Sequence, residues 1–167
     1  MKKFIKELIP YIIIIIAVVL LRTFIMTPVI VVGDSMYPTL EDGNILLLNK
    51  LDYKFNQIER YDIVVIEVDN GEIIKRIIGL PGETVEYRDN ILYINGKEQD
   101  TSKYDFDTKD FQFSDICNYD DIPKDYYLVL GDNRDISSDS RGSIGLINKK
   151  NIKGSVVISL WPISKIK

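Results

Sequence analysis

The chain has 167 residues, 25 acidic and 21 basic side chains and a formal net charge of −4, which suits one compact domain plus a flanking segment. No basic face stands out, so nucleic acid is not an expected partner. There is no histidine and one cysteine, Cys117, which rules out a Ser-His-Asp triad, a Cys-His nucleophile pair, an internal disulfide and a closed zinc site.

The amino terminus opens with Lys2, Lys3 and Lys6, and then LIPYIIIIIAVVL runs uncharged from Leu8 to Leu20. Leu21 extends it, Arg22 interrupts it and TFIM continues to Met26. As a helix, Ile9 to Ile25 rises about 26 Å, just enough to cross a thin hydrocarbon core. Arg22 sits near the far end, where its stem can carry the guanidinium to the headgroups. The expectation is a cytoplasmic segment 1–7, a membrane anchor over 8–27 and an extracytoplasmic domain over 28–167, oriented by the three lysines. A cleaved secretory signal has a similar profile, but no pair of small residues follows the apolar run. The apolar stretch VVISLWPI near the carboxyl end is too short for a second span.

From Pro28 the pattern shifts to short β-branched runs bounded by Gly, Asp or Asn: 29–32, 44–50, 62–68 and 72–78. Residues 85–97 read as strands around turns, with Asn95-Gly96 a type I′ signal, and 126–133 and 155–161 add two more strands. No helical apolar stripe longer than two turns follows Ile30. The predicted fold is mainly β: an antiparallel, folded or barrel-like β domain with one amino-terminal transmembrane helix. Residues 98–125 are acidic, aromatic and weakly periodic, and read as an inserted loop or small subdomain running over the surface.

Three segments carry potential chemistry. In GDSMYPTL, residues 33–40, Ser35 stands between a strand end and the turn at Tyr37-Pro38-Thr39, which holds its hydroxyl and exposes its amide as an oxyanion donor. In EIIKRIIGLPGE, residues 72–83, Lys75 lies between Ile73 and Ile77 on one strand face, and Arg76 lies between Ile74 and Ile78 on the other. Periodicity therefore leaves open which cation is buried, but arginine is effectively never deprotonated whereas lysine shifts readily on burial. A free lysine is neutral about once per 10³ molecules near pH 7. To act as a base its pKa must drop by roughly 2–3, about 3–4 kcal/mol of desolvation and repulsion. The third segment, GDNRDISSDSRG at 131–142, fails the calcium-loop pattern, because Ser140 falls at the glycine position and Leu146 at the final glutamate. A hydrogen-bonded loop braced by Asp132, Asp139 and Arg141 fits better, with serines able to orient a neutral lysine.

Taken together and in this order, anchor, GDSMYPTL, KRIIGLPGE, GDNRDISSDSRG and a final LWP, the chain resembles the bacterial type I signal peptidases. The resemblance implies a membrane-anchored serine endopeptidase that cleaves signal peptides from exported preproteins at the outer membrane surface, after small residues at −1 and −3. By position, Ser35 matches the nucleophile and Lys75 the general base, and Met36 and Pro38 match the nucleophile's turn. Arg76 follows the base, Ser137 matches the serine that hydrogen-bonds the lysine, and Asp132, Asp139 and Arg141 match the bracing residues. Val29, Val31, Met36 and Ile74 would help line the substrate pockets. Gly33 stands where some relatives place a serine or threonine that completes the oxyanion hole. The implied partners are signal peptides and membrane lipid, with no cofactor, metal or nucleic acid.

Other readings remain. A specialised enzyme for pilin-like subunits fits the same motifs. A self-cleaving repressor of the SOS type would need a DNA-binding domain where this chain has an anchor. A non-enzymatic anchored β domain would leave the Ser–Lys pair incidental.

Overall fold

In the computed structural model of the protein, residues 2–165 are described apart from 52, 54, 55, 103 and 105, and side chains are described from Glu7 onward. The side chains of Lys2, Lys3 and Lys6, on which the expected orientation rests, lie outside that set. One helix, α1 (Lys2–Phe24), opens the chain. Its segment Glu7–Phe24 has a mean hydropathy of 2.2 and none of it is buried against the rest of the protein. The helix stops at Phe24 and a strand begins at Met26, so the backbone turns extended inside the stretch expected as anchor. The Thr27 hydroxyl donates to the Arg22 carbonyl at 2.7 Å across this junction.

Apart from two short 3-10 turns, Phe113–Asp115 and Lys149–Asn151, the other elements are strands: β1 (Met26–Ile30), β2 (Ile45–Asn49), β3 (Ile63–Val68), β4 (Gly71–Gly79), β5 (Val85–Arg88), β6 (Ile91–Ile94), β7 (Lys97–Glu98), β8 (Tyr126–Leu130), β9 (Ile147–Asn148), β10 (Ile152–Trp161) and β11 (Ile163–Lys165). Eight of them form one antiparallel sheet in the order β1-β2-β10-β3-β4-β8-β9, with β11 beside β10. The other three form a meander, β5-β6-β7. These antiparallel sheets with a single apolar helix at the amino end bear out the predicted fold class. The Asn95-Gly96 turn between β6 and β7 has φ of 51° and 73°, the left-handed pair that a type I′ turn requires.

β3 sits in the middle of the large sheet and is buried on both faces, which explains its unbroken run Ile63-Val64-Val65-Ile66. Ile63 and Val65 join a cluster with Val31, Met36, Leu40, Leu46, Leu48 and Val156. Val64 and Ile66 join another with Ile58, Ile77, Tyr127, Val129 and Ile147. A third cluster lies between the meander and the large sheet, built on Ile78, Val85, Leu92, Phe113, Ile122 and Leu128. Phe113 and Ile122 come from the 98–125 segment, so that segment contributes to the core as well as to the surface. Gly79 makes the close contact possible, since a Cβ there would meet the Ile122 side chain at 2.5 Å and Val85 at 2.6 Å.

Candidate active site

The turn that carries Ser35 is built from short-range hydrogen bonds. The Val31 amide donates to Asn44 O at 2.9 Å, and the Gly43 amide donates to Val31 O at 3.0 Å. Gly33 adopts φ +83°, the left-handed region that favours glycine, and its amide donates to Asp42 Oδ1 at 2.7 Å. Beyond Ser35, the Tyr37 amide donates to Asp34 O at 3.1 Å and the Leu40 amide to Met36 O at 2.9 Å. Met36 and Leu40, each 1 % exposed, root the turn in the first core cluster. Among the described residues the Ser35 amide donates no hydrogen bond, so it is available to a developing oxyanion.

The loop 131–142 clamps this turn from the other side. The Asn133 amide donates to Ser35 O at 3.1 Å, and Asn133 Nδ2 donates to Asp34 O at 3.1 Å. Gly131 lies against the same carbonyl: a Cβ there would fall 2.5 Å from Ser35 O and overlap the Ser137 hydroxyl. Only glycine permits that approach.

Lys75 and Arg76 are both 3 % exposed, which is why strand periodicity could not choose between them. Their surroundings differ. Lys75 Nζ lies 2.8 Å from Ser35 Oγ, and the same separation lets a neutral amine accept the serine proton. Burial pushes the Lys75 amine below its ordinary value, and the nearby Asp139 and Asp132 carboxylates oppose that change. Arg76 instead pairs with Asp132 through two hydrogen bonds, Nε to Oδ1 at 2.8 Å and Nη2 to Oδ2 at 2.5 Å. It also donates to Tyr61 O at 2.9 Å and to Thr39 Oγ1 at 3.4 Å. Asp139 is gripped by Arg141 at 2.9 Å from both Nε and Nη2 and accepts from the Gly131 amide at 3.1 Å. Burial pushes its carboxyl up, but Arg141 and that amide outweigh burial and hold it below the usual range. The carboxylates beside the lysine are therefore each matched by a guanidinium.

Ser137 is the site residue whose contact differs from the expectation. Its hydroxyl is buried and, among the described residues, has no hydrogen-bond partner; it packs on Gly131. Lys75 is not among its partners.

Beside the pair opens a cavity of about 160 Å³ lined by Val29, Val31, Met36 and Ile74, with Val65, Ile73, Ser35 and Lys75 completing it and Glu72 at one side. All four residues expected to line a substrate pocket meet there. Ile30 and Val32 also line it and are well exposed, Val32 at 88 %. A larger, open depression of about 590 Å³ lies between Asp89, Asn90, Glu98 and Asp100 and contains none of these residues.

Sequence reasoning missed several participants. Gly131 and Asn133 lie inside the 131–142 motif and were legible as part of it. Thr39 was legible as part of the turn after Ser35 but not as a partner of Arg76, and Tyr61 had no signal, because each meets Arg76 only through the fold. Among the described residues, no group of acidic or thiol side chains is arranged to hold a metal ion.

The family model described as signal peptidase, peptidase S26, matches residues 2–161. Signal peptidase IB of Staphylococcus aureus strain N315 is 42% identical over 180 aligned residues, covering 97% of this chain and 94% of that protein. Signal peptidase I P of Bacillus subtilis subsp. natto is 41% identical over 162 residues, covering 91% of this chain and 86% of that protein. A crystal structure of a signal peptidase I from Enterococcus faecalis V583 superposes with a TM-score of 0.52 at 35% identity, covering 60% of this chain and 97% of that one. A partly buried Ser–Lys contact, its paired carboxylates and an adjoining cavity with mostly apolar walls thus occur in a chain that belongs to the signal peptidase family, peptidase S26.

Proposed function

We propose that this serine endopeptidase releases signal peptides from exported preproteins with Ser35 as nucleophile and Lys75 as general base. The observation that carries the reading is the 2.8 Å contact between Lys75 Nζ and Ser35 Oγ, made by a lysine whose burial favours the neutral amine. Neutral Lys75 takes the hydroxyl proton as Ser35 attacks the scissile carbonyl, and the Ser35 amide receives the oxyanion. The protonated lysine then gives its proton to the leaving amine, and Lys75, neutral again, activates the water that hydrolyses the acyl-enzyme. Gly33 brings no side chain to the oxyanion hole, and a backbone amide or a water takes the place of the second donor. The cavity beside Ser35 suits small side chains, in keeping with cleavage after small residues at −1 and −3.

The same reading sets the enzyme on a membrane. α1 is long and apolar enough to cross one, with the amino terminus cytoplasmic and the β domain outside. The β domain also exposes large apolar side chains: Trp161 is 69 % exposed and Ile163 82 %, with Val157 and Leu160 close by in the chain. An exposed row of this kind suits an interface with lipid, where a preprotein's signal helix also ends. The experiment is cleavage of a preprotein by the detergent-solubilised protein. Ser35→Ala and Lys75→Ala are each expected to lower the rate by at least ~10³-fold, as loss of a nucleophile or its base does, while leaving thermal unfolding cooperative. Wild-type rates in either variant would refute the assignment.

A further inference from the structure

The segment joining β7 to β8 does more than pass over the surface. The Tyr104 ring stacks on Tyr61, with centroids 4.3 Å apart and planes 24° from parallel. The guanidinium of Arg76 lies 4.7 Å from the Tyr104 centroid and 6.0 Å from that of Phe106. Phe106 also lies 5.4 Å from the guanidinium of Arg134. Two residues on, Thr108 is 2 % exposed. Its hydroxyl accepts from Arg134 Nη1 at 2.7 Å and donates to Phe106 O at 2.5 Å, and its amide donates to Asn90 Oδ1 at 2.8 Å. The segment is thus tied down at Thr108 and lays two aromatic rings over the cation that grips Asp132.

We propose that Tyr104 and Phe106 are positioning residues for the Ser35–Lys75 pair, roofing Arg76 so that it stays locked on Asp132 and the negative charge beside the lysine stays matched. This rests on the reading of Lys75 as the base. Two further observations point the same way. Arg76 and Asp132 have only 4% and 0% of their side chains exposed, so their mutual attraction is little screened as long as water is kept out. Tyr61, on which Tyr104 stacks, holds φ +73°, a backbone state that a bulky residue keeps only where its surroundings enforce it. Arg76 bonding to Tyr61 O and the Tyr104 stack are two such constraints.

The consequence for the lysine follows from the charges around it. Asp132 and Asp139 face Lys75 from the 131–142 loop, matched by Arg76 from its own strand and by Arg141. Glu72 lines the same cavity, and Tyr61 lies behind Arg76. Opening the roof lets water reach Arg76, loosens its hold on Asp132 and leaves that carboxylate less matched. Added hydration and the freed charge both favour the ammonium form, so more of the lysine is protonated at neutral pH.

The test is the pH profile of kcat/KM for preprotein cleavage by the full-length protein in detergent. Tyr104→Leu is expected to move the acid limb upward by about one pH unit, a roughly tenfold loss near neutral pH that is recovered at alkaline pH. Tyr104→Phe, which keeps the ring, rescues the wild-type limb, and the Lys75 side-chain NMR titration moves in step with the kinetics. A wild-type limb in Tyr104→Leu, or a loss equal at every pH, overturns the proposal. If Tyr104→Leu fails to fold, Phe106→Leu carries the same expectation and the same refutation. If instead Lys75→Ala retains activity, the dyad reading itself fails, a result distinct from an unmoved limb.

Discussion

Lys75 and Arg76 are consecutive, equally buried and chemically divided. Arg76 is met by a carboxylate, whereas Lys75 meets a hydroxyl and an apolar wall. The lysine is therefore costly to the fold, and the sign of that cost follows from burial holding its pKa below the ordinary value. Its native pKa lies below the unfolded one, so the unfolded state binds more protons between the two values and stability rises with pH across that window. Below the native value the cost is fully present, at about 1.4 kcal/mol for each tenfold change in the proton-binding constant. Lys75→Met, which keeps the stem and drops the amine, is expected to raise the thermal midpoint at pH 7 while abolishing cleavage. That gain should shrink as pH approaches the unfolded lysine value of about 10.4. Calorimetry at the two pH values checks it, and a midpoint unchanged or lowered at pH 7 would show the lysine to be well accommodated. Fold stability is exchanged here for reactivity.

At the scale of elements, the site is assembled where three stretches distant in sequence converge: the turn after β1, the strand β4 and the loop after β8. The Gly131 contact with Ser35 O and the bonds from Asn133 join the first to the third, and the antiparallel pairing of Arg76 with Leu130 joins the second to the third. β10 pairs with both β2 and β3 and shifts register twice along its β2 edge, the irregularity expected of a strand that bends. The meander β5-β6-β7 depends on tight turns. Asp89-Asn90 and Asn95-Gly96 both hold left-handed pairs, and Thr84 N donates to Asn95 Oδ1 at 2.8 Å. Gly96→Val forces a β-branched residue into that region and is expected to cost about 1–2 kcal/mol. Because no site residue is touched, kcat/KM below the unfolding range should be unchanged; urea denaturation alongside the cleavage assay separates the two effects. The strands were legible because β-branched runs between turn residues mark them directly. The 98–125 segment was legible only as irregular: its acidic composition hides Phe113 and Ile122, which are buried, and Tyr104 and Phe106, which face cations supplied by other elements.

For the whole molecule, the helix and the β fold are nearly independent in what they bury. None of Glu7–Phe24 is covered by the rest of the chain, and the Lys50 ammonium on Thr23 O at 3.3 Å is a thin tie. A protein beginning at Ile25 is therefore expected to keep the thermal midpoint of the full chain. Its association with lipid vesicles should fall but not vanish, because Trp161 and Ile163 remain exposed. Flotation with vesicles and calorimetry on both forms test this. A large drop in midpoint would mean that the helix supports the fold.

The sequence by itself determined the β class and an apolar amino-terminal stretch long enough to cross a membrane, because hydropathy and period-2 alternation are local facts, and the absence of histidine, a compositional one, excluded triad chemistry. Ser35 and Lys75 were legible as a candidate pair through the motifs that the chain shares with the family it resembles, not through periodicity, which left Lys75 and Arg76 equivalent. Only the tertiary structure decided how the lysine is kept free of a carboxylate partner. That rests on Asp132 being taken by Arg76 and Asp139 by Arg141, on Gly131 admitting the Ser35 carbonyl, and on two aromatic rings from an irregular segment lying over Arg76. Each is a contact between residues far apart in the chain, and burial, unlike periodicity, exists only after the chain has folded.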